Sequence, residues 1–123
     1  MTIALSLDDE ESPYARAVLA IPSCAFIAPA VWRSEVANVL VVAERRGRLA
    51  DAAAAMHALL RDYPVTVVAS TQIVAEIVLA KKHKLSVYDV AYLALAIAER
   101  APLATLDAKL ARAAEAEGLY FNP

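Results

Sequence analysis

The chain has 123 residues, one cysteine, two histidines and a formal net charge of −2, with 60% hydrophobic and 21% charged residues. The lone Cys24 excludes an internal disulfide, and His57 and His83 have no Cys or His partners at zinc-ligand spacing. A charge this small advertises no broad basic face, and leaves room for a nucleic-acid enzyme only where its basic residues are local or its affinity is low. The longest apolar run is far too short to cross a bilayer, so the expectation is one domain, residues 1–123, cytoplasmic and without a membrane.

The opening "MTIALSL" lacks a basic n-region and runs into Asp8, Asp9, Glu10 and Glu11, which is not a signal-peptide pattern. "SPYARAVLA" predicts a helix, and "AFIAP" (25–29) a short buried strand closed by proline. Helical periodicity then runs from Val31 to Arg46, with Gly47 as a C′ stop, and "LADAAAAMHALLRDY" forms the next helix, ended by Pro64. "VTVVA" is β-branched and predicts a strand. "TQIVAEIVLAKKHK" and the more apolar "SVYDVAYLALAIA" predict two helices. "PLAT" predicts a strand, 107–117 a helix ended by Gly118, and "LYF" a terminal strand. Helices alternating with short apolar strands imply a largely parallel sheet covered on both faces.

Three acids fall at equivalent places in that order. Glu35 lies in the first turns of the helix after "AFIAP", Asp89 in the first turn of the apolar helix, and Asp107 two residues after the strand ending at Thr105. In open parallel sheets this edge, beyond the C-terminal ends of the strands, is where sites form. Each acid also has a local reading: Asp107 as an N-cap, and Asp89 as the partner of Ser86 in a capping box. Glu35 is expected on an inward face, near Val31, Trp32, Val39 and Val42, where no basic residue can pair it. If the three converge, two unit charges about 5 Å apart cost roughly 3 kcal/mol at an effective dielectric near 20. A divalent cation would relieve that cost, and oxygen-only ligands favour Mg²⁺ or Mn²⁺. Such ions promote displacement at phosphorus.

"APAVWRSEVANVL", "RRGRL", "LSVYDVAYLALA" and "PLATLDAKLARAAEAEGL", in this order, resemble PIN-domain proteins. More narrowly they resemble the VapC-like toxins of type II toxin–antitoxin systems. The resemblance implies a three-layer α/β/α fold with a PIN-like parallel sheet of about five strands. It implies a Mg²⁺- or Mn²⁺-dependent endoribonuclease, often acting on structured RNA such as tRNA. The catalytic and metal-binding acids map onto Glu35, Asp89 and Asp107, with Thr105 as the hydroxyl residue before the last acid and Asn38 one turn after the glutamate. The family's first strand ends in an Asp followed by a hydroxyl residue. "MTIALSL" matches the part after that Asp, with Thr2 as the hydroxyl, so the first strand and its acid are expected to be missing from this chain.

Two functions follow from the resemblance: a ribonuclease toxin held by a cognate antitoxin, or a catalytically impaired PIN-fold module that binds an antitoxin without cleaving RNA. The apolar surplus predicts a homodimer with a separate antitoxin surface, using the N-terminal helix and the "VWRSEVANVL" region. "KKHK" (81–84) reads either as a solvated helix end or as an RNA-phosphate contact.

Overall fold

The fold places short apolar strands between helices, as the alternating pattern requires. The computed structural model describes residues 1–6, 12–70 and 72–123. The acidic run Asp8, Asp9, Glu10 and Glu11, and Thr71, lie outside them. The elements are β1 (Thr2–Ser6), α1 (Pro13–Leu19), β2 (Ala25–Pro29), α2 (Val31–Arg45), α3 (Ala52–Asp62), β3 (Val65–Val68), α4 (Ile73–His83), α5 (Val87–Glu99), β4 (Leu103–Thr105) and α6 (Ala108–Ala116). The strands form one sheet in the order β3-β2-β1-β4, and every pair is parallel.

Contrary to the expected loss of a first strand, Thr2–Ser6 fills the centre of the sheet, between β2 and β4. The physical reason is in its side chains. A central parallel strand is buried on both faces, so it reads as an uninterrupted apolar run. Ile3, Ala4 and Leu5 supply that run, at 0%, 0% and 3% exposure.

Side chains of alternate strand residues point to opposite faces, and the core divides accordingly. Ala4, Ile27 and Leu103 face a large layer built on α2, α5 and α6, with Trp32, Val36, Val90, Leu93 and Leu110 at its heart. Ile3, Leu5, Phe26 and Ala104 face a thinner layer formed by α1 through Val18 and Leu19, joined by Phe121. The fold is thus the expected three-layer α/β/α arrangement.

Helix ends follow the sequence signals. Gly47 and Gly118 adopt left-handed φ values of 71° and 72° just past α2 and α6, where glycine pays no Cβ penalty. The C-terminal "LYF" is less than a strand. Leu103 donates to Leu119 O at 2.7 Å and Phe121 donates back to Leu103 O at 2.9 Å, leaving one isolated bridge between Leu103 and Tyr120.

Candidate functional site

All pairs being parallel, the C-terminal ends of the strands share one edge. Ser6, the last residue of β1, pairs in register with Thr105, the last of β4, and β2 runs through Pro29 into α2. At this edge a cleft of about 210 Å³ is lined by Ser6, Glu35, Asp89, Tyr92 and Asp107. Trp32, Val36, Leu106 and Leu110 complete its walls. The three acids from separate elements therefore border one cleft.

Each acid arrives there for a local reason. Asp107 is the N-cap of α6, its Oδ1 accepting the Leu110 N–H at 2.8 Å, while its own N–H donates to Thr105 Oγ1 at 3.1 Å. The capping reading of Asp107 is correct, and the capping residue also borders the cleft. At the start of α5, Ser86 Oγ accepts the Asp89 N–H at 3.0 Å. Only this half of a capping box is made among the described residues, so the Asp89 carboxylate is not committed to the cap. Glu35 accepts a hydrogen bond from the Tyr92 hydroxyl at 2.8 Å. The hydroxyl belongs to a ring only 3% exposed, so Glu35 is tethered to a rigid part of the core.

Glu35 departs from one expectation. It is exposed rather than inward-facing. The buried stripe of α2 is Trp32 and Val36, and Val39 is 40% exposed. Glu35 stands beside that stripe, at the mouth of the cleft, where its charge keeps contact with water.

The supporting residues divide. Thr105 is buried at 2% exposure and steers the backbone at Asp107 through its hydroxyl. Asn38 is exposed one turn beyond Glu35 and does not border the cleft. Thr2 is the first residue of β1, so it lies at the opposite end of the strand from the cleft. Ser6 occupies the end that Thr2 was expected to serve. Sequence reasoning missed Ser6 and Tyr92. For Tyr92 a signal existed: it lies three residues after Asp89, hence on the same helical face.

Among the described residues, no Lys, Arg or His pairs with Glu35, Asp89 or Asp107. Nor do any three His, Cys, Asp or Glu side chains there stand close enough to share one ion. The donor set is all hard oxygen, which suits Mg²⁺ or Mn²⁺ in chemistry and in charge.

The chain is thus a parallel α/β sheet with acids gathered at its C-terminal edge. The PIN domain family matches residues 2–116, and the chain belongs to that family. PIN domains are generally nucleases and typically use divalent metal ions. Among solved structures, the crystal structure of PAE2754 from Pyrobaculum aerophilum has a similar fold, with a TM-score of 0.73 at 20% identity over 91% of this chain and 84% of that one. No curated protein matches the sequence. Among the described residues, no helix is long and apolar enough to cross a membrane.

Proposed function

We propose that this PIN domain is a Mg²⁺- or Mn²⁺-dependent endoribonuclease, the toxin of a toxin–antitoxin pair of the VapC type, acting in the cytoplasm. The observation that carries this reading is the cleft itself: three carboxylates from α2, α5 and the β4–α6 junction border one cavity, and among the described residues no protein cation neutralises them. Uncompensated negative charge gathered at one cleft is the setting a divalent cation fills.

The ion would be held by one or two of Glu35, Asp89 and Asp107 at a time, with water and substrate oxygens as its other ligands. When bound, it supplies Lewis acidity at a phosphoryl oxygen and a more acidic water. Tyr92 keeps Glu35 in one rotamer, and the Thr105 hydroxyl keeps Asp107 at the start of α6. Ser6 offers a further hydroxyl at the floor of the cleft. In hydrolysis a water oxygen bonds to phosphorus, the bond to one ribose oxygen breaks, and that oxygen leaves with a proton.

A second reading has its own support. No three acids stand within range of a single ion among the described residues, which fits a domain that engages an antitoxin but cleaves poorly. The deciding experiment incubates the purified chain with structured RNA, tRNA included, with Mn²⁺, with Mg²⁺ and with chelator. The nuclease reading expects cleavage with either metal, none with chelator, and loss in Asp89→Asn. Absence of cleavage with both metals, alongside retained antitoxin binding, overturns it in favour of the second.

Partner binding draws on the apolar surface. Ile73, Val74, Ile77 and Val78 are 57%, 71%, 46% and 60% exposed, against 40% for Val39 and 36% for Val41 of α2, so exposed aliphatic side chains gather on α4 more than on α1 or α2, the two helices expected from the sequence to carry them. The homodimer is proposed to use this face. A monomer by light scattering at micromolar concentration, unchanged by Val74→Glu, would rule that out.

A further inference from the structure

A second groove of about 420 Å³ is lined by Lys82, His83, Lys84, Lys109, Arg112 and Ala113. Two elements build it. Lys82 and His83 end α4 and Lys84 follows as its C-cap, while Lys109 and Arg112 project from α6 one turn apart. The chain as a whole carries a net charge of −2, so four permanent cations around one groove are a local concentration and not a general property of the surface.

The charges there are divided between held and free. Glu117 accepts from Lys82 Nζ at 2.8 Å and meets His83 Nε2 at 2.9 Å, which fixes the α4 wall against α6. Among the described residues no carboxylate pairs with Lys84, Lys109 or Arg112. Lys84 also sits in the left-handed region, at φ 56°. Glycine is the residue that closes such a cap at least cost, so the lysine stands where backbone geometry alone would favour its absence.

Both walls lead to the acid cleft. On α6, Asp107 and Leu110 border the acid cleft while Lys109 and Arg112 border the groove. Asp107 and Arg112 are five residues apart, about 7.5 Å along a helix axis. On the other wall Lys84 precedes Asp89 by the same five residues. The cleft and the groove thus share α6 as a wall.

We propose that this groove carries the phosphate backbone of a single-stranded RNA segment whose neighbouring phosphodiester lies in the acid cleft. The proposal rests on the nuclease reading for the choice of RNA, and deepens it by assigning Lys84, Lys109 and Arg112 as sequence-independent substrate-binding residues. Cations that touch only phosphates give affinity and register without base specificity. They make binding salt-dependent, with a slope of about 0.7 per phosphate contact on a single strand.

The test measures binding separately from cleavage. A short fluorescein-labelled single-stranded RNA is titrated with the full chain in chelator, by anisotropy, over a range of salt concentrations. Lys109→Gln/Arg112→Gln should weaken binding about tenfold at low salt and lower the salt slope by about 1.4. Lys84→Gly should weaken binding while leaving the melting temperature equal or higher, an opposition that a folding defect cannot produce. Arg45→Gln, outside both clefts, is the control. With metal restored, the double variant should show a raised KM and a nearly unchanged kcat. A double variant with wild-type affinity and slope overturns the groove assignment, even if the wild type cleaves RNA. Salt-dependent binding through these residues with no cleavage in either metal keeps the groove and rejects the nuclease reading. If an acidic peptide displaces the RNA and binds more tightly by the same residues, the groove is a protein-docking site and the proposal fails.

Discussion

Two sets of carboxylates in this fold are treated in opposite ways. Glu117, just past α6, is met by Lys82 and His83 and lies mostly covered, with a side chain 21% exposed. Glu35, Asp89 and Asp107 border a cleft and meet no protein cation among the described residues. Their bonds are to a phenol, to backbone amides or to none. A carboxylate with its counter-ion supplied is a fastening between helices. Carboxylates without one are, on the proposed reading, a site for a cation from outside.

The contrast breaks most sharply under substitution of the unpaired set. Glu35→Gln and Asp89→Asn are expected to lower metal-dependent RNA cleavage by about 100-fold or more, while thermal stability stays within about 0.5 kcal/mol. Glu117→Gln should do the reverse, leaving kcat unchanged. Single-turnover cleavage and melting curves on the three proteins check this.

Asp107 belongs to both worlds, since it caps α6 and borders the cleft. Asp107→Ala should lose the cap, at about 1 kcal/mol, together with activity. Asp107→Asn retains a capping oxygen, so its stability should be near wild type with activity still lost. Equal stability losses in the two variants would show that charge, not the cap, holds the helix end.

Tyr92→Phe removes the hydroxyl that orients Glu35. Support of this kind is worth about 10- to 100-fold in metal affinity or activity, and the lost hydrogen bond about 1 kcal/mol of stability. An unchanged metal affinity would mean that Glu35 is positioned by α2 alone.

The smallest expected effect is a pH dependence. The Lys82 ammonium, and then His83, hold the Glu117 carboxyl below the usual carboxylate range. A carboxyl lowered on folding stabilises above its unfolded value, about 4.3, and that contribution disappears as pH falls through the lowered value. Lys82 is 60% exposed, so the amount should be under about 1 kcal/mol. Urea denaturation between neutral and acidic pH, compared with Glu117→Gln, should show the acid-side loss in the wild type only.

Much of this arrangement is legible in the sequence because local rules and the fold agree. "AFIAP", "VTVVA" and "PLAT" contain β2, β3 and β4, and Gly47 and Gly118 mark true helix ends. The three acids are legible too, since in a parallel sheet position after a strand decides which edge a residue reaches. What fails is finer. The resemblance assigned "MTIALSL" to the region after the first strand, whereas burial on both faces makes its Thr2–Ser6 part the central strand. The inward face of α2 was misjudged by one position, because Val39 is apolar yet exposed and the Trp32–Val36 stripe excludes Glu35. The basic groove is half legible: "KKHK" is visible as a run, but its meeting with Lys109 and Arg112 is a long-range fact of packing.

The central claim, that the unpaired acids await a cation, is tested most directly by titrating Mn²⁺ into the metal-free chain and following the paramagnetic enhancement of water relaxation. The account predicts saturable binding in the wild type and in Glu117→Gln alike, and at least a tenfold weaker Kd in Glu35→Gln and Asp89→Asn. Saturable Mn²⁺ binding unaltered by either cleft substitution, or lost in Glu117→Gln, would contradict it.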